Sequence, residues 1–127
     1  MTGATLLFRQ IHPNFVQDGF ASSRAFRPNE FDEGLMSVYD GGLILTAEAS
    51  WTHYTTVLRK KSAGATALTV EECAAEGLPP RPDPETFLEH AVVDFTGVEE
   101  KEWRAKSKKL QAKALARRWS YQPAVAE

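Results

Sequence analysis

Two periods of hydrophobic and polar positions run along this chain, and the switches between them mark its elements. Thr5 to Ile11 is apolar and β-leaning, and His12-Pro13-Asn14 ends that strand, because the residue before a proline is pushed away from helix. From Phe15 to Gly34 no period is sustained, but Phe15, Phe20, Phe26 and Phe31 stand among Gly, Ser, Arg and Pro. Four phenylalanines on a wet surface would be costly, so the segment is expected to be an ordered loop. Leu35–Tyr39 and Leu43–Thr46 are short β-prone runs around Asp40-Gly41-Gly42, a dipeptide chemistry that favours a tight turn, and they predict a β-hairpin.

The period then becomes helical. Thr46 can cap a helix in which Ala47, Trp51, Tyr54 and Leu58 form one apolar stripe, running to about Lys61, with His53 opposite the stripe and facing water. Ala65–Leu68 reads as a strand, and Thr69-Val70-Glu71-Glu72 as a capping box opening a two-turn helix that ends at Gly77. Pro79 to Pro84 holds too many prolines for regular structure and is expected as a semi-rigid extended surface segment. Ala91–Phe95 is a strand with Val93 and Phe95 on one face and His90, Val92 and Asp94 on the other. Thr96-Gly97-Val98-Glu99 is read as a second capping box, opening a helix that runs to Trp119.

This order predicts an α+β fold: a small, mainly antiparallel sheet with about three helices packed on it, the last one long and basic, the final strands being able to pair in parallel. The expected domain is 1–122, followed by a loose tail over 123–127. With 127 residues, 43% hydrophobic and 25% charged, the chain has ordinary globular composition. One core of this size can bury roughly two thirds of the unfolded surface.

Charge changes that picture. Residues 1–97 carry 7 Lys/Arg against 13 Asp/Glu, net −6, and residues 98–127 carry 8 against 4, net +4, which together give the net −2. On the last helix Lys106, Lys109, Lys113 and Arg117 fall along one ridge, where four cations could track phosphates. The acidic remainder disfavours nucleic acid, and a solvated face or an acidic partner surface fits the ridge better. Trp103, Leu110 and Ala114 form one apolar stripe of this helix, with Ala105, Ala112, Ala116 and Trp119 nearly opposite. Two apolar faces suggest packing on both sides, either with one side against a partner or with the helix wholly inside the fold and its Lys and Arg stems covering its sides.

Candidate chemistry gathers around Arg9. Arg9 and His12 at the end of the first strand, and Ser22 and Ser23 in a Ser-Ser-x-x-x-Arg loop ending at Arg27, could converge on a phosphate or carboxylate. Glu48 at the start of the first helix would add a carboxylate, and His12 could move a proton near neutral pH. Against this convergence, the same residues suit turn bonds and strand-end hydrogen bonds. No metal site is expected, since His90 and Asp94, although on one face, stand about 13 Å apart along a strand. No cofactor signature is present: Gly41-Gly42 lacks the spacing and lysine of a phosphate loop. Cys73 is alone and has acidic neighbours, which suits a reducing compartment and an unreactive thiol. The first ten residues lack a basic segment leading into a long apolar run, and no stretch of about 18 uncharged apolar residues occurs, so a cytoplasmic location without a membrane span is expected.

The stretch from Leu7 through Phe95 resembles small bacterial proteins, a likeness that implies no particular activity. The leading expectation is a non-enzymatic protein-interaction module, a companion, adaptor or immunity-type subunit of a larger bacterial assembly. It would bind another protein through Trp103, Lys106, Lys109, Lys113, Arg117 and Trp119. The alternatives are an enzyme or binder of a phosphorylated or nucleotide ligand through Arg9, His12, Ser22 and Arg27, and nucleic-acid binding through the last helix.

Overall fold

In the computed structural model, which describes residues 1–124, the elements in chain order begin with β1 (Leu6–Ile11), the short ribbon β2 (Val16–Gln17) and β3 (Phe20–Ala21), and β4 (Leu35–Asp40). Helix α1 (Ala47–Thr52), β5 (Gly64–Thr69) and α2 (Val70–Ala75) follow. The chain then forms β6 (Pro80–Pro82), β7 (His90–Asp94) and α3 (Glu100–Arg117). Five strands make one sheet in the order β5-β1-β4-β7-β6, every neighbouring pair antiparallel, and the last strands are no exception. The α+β reading stands. The last three residues of the expected tail lie outside the described residues.

Alternation along the strands divides the buried side chains between two layers. Leu7, Ile11, Met36, Val38, Ala91 and Val93 point to the side covered by α3, where Leu110 and Ala114 meet them together with Phe26 and Phe95. Phe8, Tyr39, Ala65 and Ala67 point to the other side, under Ala47, Tyr54 and Phe87. The sheet therefore has a thick core on one face and a thinner, aromatic one on the other. The second is the face that carries the cavity described below.

Several expectations needed correction. Leu43–Thr46 forms no strand: both edges of β4 are already taken by β1 and β7, so a returning strand has nowhere to pair. The chain instead turns on Asp40, whose carbonyl accepts from Leu43 and Ile44 and whose Oδ1 accepts from Gly42 N at 2.8 Å. The proline segment is a sheet edge, Arg81 pairing with Val92 while its flanking prolines, which cannot donate, leave that edge unable to recruit another strand. Thr96 does not cap α3. It bonds Asp94 Oδ1 through its own amide and hydroxyl, and the helix begins after Glu99, without a side-chain cap. At the far end the helix stops at Arg117, since Arg118 takes a positive φ of 61°, and Trp119 lies beyond it. The capping box at Thr69, by contrast, forms as expected, and Gly77 closes that helix region at a φ of 75°.

The helix after Thr46 is α-helical only to Thr52 and continues as a π-helical segment over His53–Val57. Threonine hydroxyls accompany the change: Thr55 Oγ1 donates to Trp51 O at 2.9 Å and Thr56 Oγ1 to Thr52 O at 2.6 Å. Such back-bonding loosens the regular ladder. His53, expected in water, stands at the junction of the two segments and faces Tyr39 and Phe87.

Beyond α3 the chain returns to the free edge of β5. Ala65 exchanges backbone hydrogen bonds with Tyr121, at 2.9 Å for its own amide. Gly64 allows this close approach, because a Cβ there would stand 2.5 Å from Tyr121 O and 2.9 Å from the Trp119 ring. Gly64→Ala is expected to lift this segment from the edge at a cost of about 1–3 kcal/mol. Denaturant unfolding, together with faster amide exchange at Ala65, would register the loss; unchanged exchange would refute it.

Candidate functional site

On the aromatic face of the sheet lies a cavity of about 330 Å³. Its floor is Phe8, Ser37, Tyr39 and His90, carried by β1, β4 and β7. Tyr54, Leu58 and Lys60 of the π-helical segment and the turn after it make one wall. Asn29 and Asp32 from the loop before β4, with Thr86 and Phe87 from the loop before β7, make the others.

Arg9 reaches this cavity through a gap in the sheet. The β1–β4 ladder holds only at Leu7 with Asp40 and Phe8 with Tyr39, after which the two strands part. Arg9 starts, by alternation, on the side of Leu7 and Ile11, and its guanidinium fills the opening. Nε donates to Ala25 O at 2.8 Å and Nη1 to Ser37 O at 2.8 Å. The residue is only 9% exposed, yet among the described residues no carboxylate lies within 4.0 Å of it. Burial pulls its pKa below the ordinary arginine value, opposed by Tyr54 and Asp32 nearby. An arginine starts so high that it stays charged at neutral pH. Two of its five N–H groups are used, and the rest, one on Nη1 and both on Nη2, have no protein acceptor among the described residues.

The surrounding side chains are held firmly. Gln10 Nε2 donates to Ser50 Oγ at 2.8 Å, and Ser62 Oγ donates to Gln10 Oε1 at 2.8 Å, which ties α1 and the segment after it to β1. The loop between β6 and β7 is closed by Asp83 N donating to His90 O at 2.9 Å, and again by His90 Nδ1 against Asp83 Oδ2 at 2.9 Å. The Thr86 hydroxyl donates to the same oxygen at 2.8 Å; that bond first, and His90 after it, hold the Asp83 carboxyl below the usual carboxylate range. Phe87 sits between two imidazoles, 4.8 Å from His53 and 4.9 Å from His90 between ring centroids. The Tyr39 hydroxyl is 2.7 Å from His53 Nδ1. Burial raises the pKa of Tyr39 and of Tyr54, so both phenols are protonated across the physiological range. In Tyr54 this prevails over the opposing charge of Arg9. Arg9 and Lys60 against Asp32 leave the lining with one net positive charge.

Of the residues singled out in the sequence for phosphate or carboxylate chemistry, Arg9 alone lines this cavity. His12 Nδ1 accepts from Asn14 N at 3.0 Å and caps the short 3₁₀ turn Pro13–Phe15. Ser22 and Ser23 begin the 3₁₀ turn Ser23–Phe26, and the hydrogen bond from Arg9 to this loop goes to the Ala25 carbonyl. Arg27 lines a separate open hollow with Trp103 and Arg104, and Glu48 is exposed on the first turn of α1. Tyr39, His53, Tyr54, Asp83, Phe87 and His90 were not singled out for this site. The cross-strand register sets Tyr39 opposite His90, and the segment after α1 and the loop between β6 and β7 bring the others to them.

The basic ridge of α3 is engaged within the molecule. Lys106 and Lys109 stand 3.6 and 3.5 Å from Glu76 Oε1, and Arg117 2.7 Å from Glu72 Oε1, so acids in and just after α2 meet the cations of α3; Lys113 borders the hollow between them. Trp103 packs edge-on against Phe95 and donates to Val98 O, while Trp119 donates to Gly19 O. Cys73 is buried, and burial first, with Glu72 second, pushes its thiol up to about 12. Among the described residues no cluster of His, Cys, Asp and Glu could hold a metal ion, and no helix is long and apolar enough to cross a membrane.

Comparison with protein-family models, with curated proteins and with solved structures finds no match to this chain.

Proposed function

We propose that this protein is a binding module for an anion-bearing ligand, which it holds on Arg9 inside the aromatic cavity. The observation that carries this reading is a buried guanidinium lining the cavity that, among the described residues, has no carboxylate partner and N–H groups without an acceptor. A buried charge is costly unless it is paired, and a ligand anion would supply the pair with charge-assisted hydrogen bonds. Aromatic walls would cover the apolar body of the ligand. Binding through α3 has weaker support, because three of its four ridge cations already face Glu72 and Glu76, and Trp103 and Trp119 are both engaged internally.

Thermal-shift and calorimetric titration with acetate, benzoate, orthophosphate and adenosine monophosphate tests this. At least one of them should stabilise the protein, by about 2.7 kcal/mol at a hundredfold excess over its Kd. Arg9→Lys keeps a charge but loses the planar fork, and should weaken binding about tenfold or more. Lys60 is exposed and its ammonium lies 5.8 Å from the centroid of the Tyr54 ring, so Lys60→Ala leaves the fold intact and should weaken binding several-fold. Four inert anions, or equal binding by both variants, would overturn the proposal.

A further inference from the structure

The cavity is small for a whole ligand, while its rim is built for something larger. At about 330 Å³ it sits at the low end of the range for organic ligands and would be filled by one or two amino-acid residues. Around it, three wall segments each turn one large apolar side chain outward: Phe31 is 88% exposed, Leu88 65% and Val57 64%. Each stands one residue from a lining residue, namely Asp32, Phe87 and Leu58. A free small anion would leave these side chains in water. A chain that enters the cavity and continues out across the rim would cover them.

Charge selects the kind of anion. With Arg9 and Lys60 against Asp32, the lining carries one net positive charge, which a single carboxylate balances and a phosphate dianion exceeds. One hydrogen on Nη1 and both on Nη2 have no acceptor among the described residues, and a carboxylate is the anion whose two oxygens a guanidinium can hold in two-toothed fashion. The side chains of Asn29, Ser37 and Tyr54 line the same space and make no hydrogen bond within the described residues, so they are open to peptide amides.

Resting on the anion-binding reading above, we propose that the occupant is the C-terminal carboxylate of a partner polypeptide. The last side chain of that partner is apolar, packing on the aromatic walls, and its preceding residues cross Phe31, Val57 and Leu88.

The test uses two pools of fluorescein-labelled octapeptides of randomised sequence, one ending in the free acid and one in the amide. The free-acid pool should bind, with Leu, Val or Phe enriched at the last position among retained peptides, and the amide pool should bind at least tenfold more weakly. Phe31→Ser/Leu88→Ser, both at exposed positions, should weaken the free-acid pool about tenfold and leave benzoate binding unchanged. Equal binding of the two pools, or wild-type peptide affinity in the double variant, would overturn the inference. If benzoate or phosphate binds in an Arg9-dependent way and peptides do not, the peptide inference fails alone. If none binds, both readings fail.

Discussion

Phe26→Ala is expected to remove about 3–5 kcal/mol of stability, the cost of emptying a phenylalanine-sized space in a closed core. Phe26 is fully buried at the end of the 3₁₀ turn Ser23–Phe26, which packs under α3. Its neighbourhood is pinned from several sides: Gln111 Nε2 donates to Ala21 O at 3.0 Å, and Arg9 holds Ala25 O. These fixed points limit collapse around the void, which is the condition under which cavity costs are highest. A chain of this size has a total stability on the order of 5–15 kcal/mol, so the variant would be close to unfolding at room temperature. Urea unfolding measures it, and Phe26→Leu, expected to lose about 1–2 kcal/mol, serves if the alanine variant cannot be purified. Phe31→Ser, in the same phenylalanine-rich segment but exposed, should change stability by less than about 0.5 kcal/mol. A loss below about 1 kcal/mol for Phe26→Ala would show that the turn is not anchored there.

Arg9→Met should cost about 3 kcal/mol, although methionine keeps most of the stem and removes a buried charge. The loss comes from the two carbonyls. Ala25 O and Ser37 O each accept a charge-assisted bond from the guanidinium, worth about 1.5–3 kcal/mol apiece, and orphaning them carries its own desolvation cost. Relief from burying an unpaired cation offsets part of this. Ser37 belongs to β4 at the point where that strand has left β1, so no neighbouring backbone amide can replace the arginine. A urea midpoint lowered at unchanged m would report the loss. A cost under about 1 kcal/mol would mean that solvent in the cavity satisfies both carbonyls, and that Arg9 is held there for ligand alone. Arg9→Met should also abolish anion binding at any concentration at which the variant remains folded.

Much of the fold was legible because local rules and tertiary rules agreed. The Thr69 capping box satisfies its helix start with neighbours three residues away, and no distant partner is needed. The alternation of Val93 and Phe95 against Val92 and Asp94 survives because one face of β7 is sealed by α3. Where the reading failed, a distant partner had prevailed over a local signal. Leu43–Thr46 has strand composition, but β7 already occupies the edge of β4 that it would need. Thr96 has the spacing of a cap, but its amide and hydroxyl donate to the Asp94 carboxylate two residues back, and its hydroxyl oxygen does not accept from the helix amides. Pro80-Arg81-Pro82 is a poor strand in isolation and a good one at an edge, where the missing donors face outward.

The site divides in the same way. Arg9 stood out in the sequence because a charged residue at the end of an apolar strand is conspicuous. Its companions were expected among His12, Ser22, Ser23 and Glu48, and the fold supplies others. Sequence alone determined the α+β class, the lone cysteine with its acidic neighbours, the acidic body with its basic last helix, and the presence of an arginine inside a strand. Only the tertiary structure decided that α2 neutralises the helix ridge, that β1 and β4 part after Phe8, and that Arg9 fills the gap beside Tyr54, Phe87 and His90. The physical reason is one of range: caps, periods and composition act within a few residues. The pairing of a charge with its partner, and the opening of a ladder into a cavity, depend on strands that meet only after the chain has closed loops of thirty residues and more.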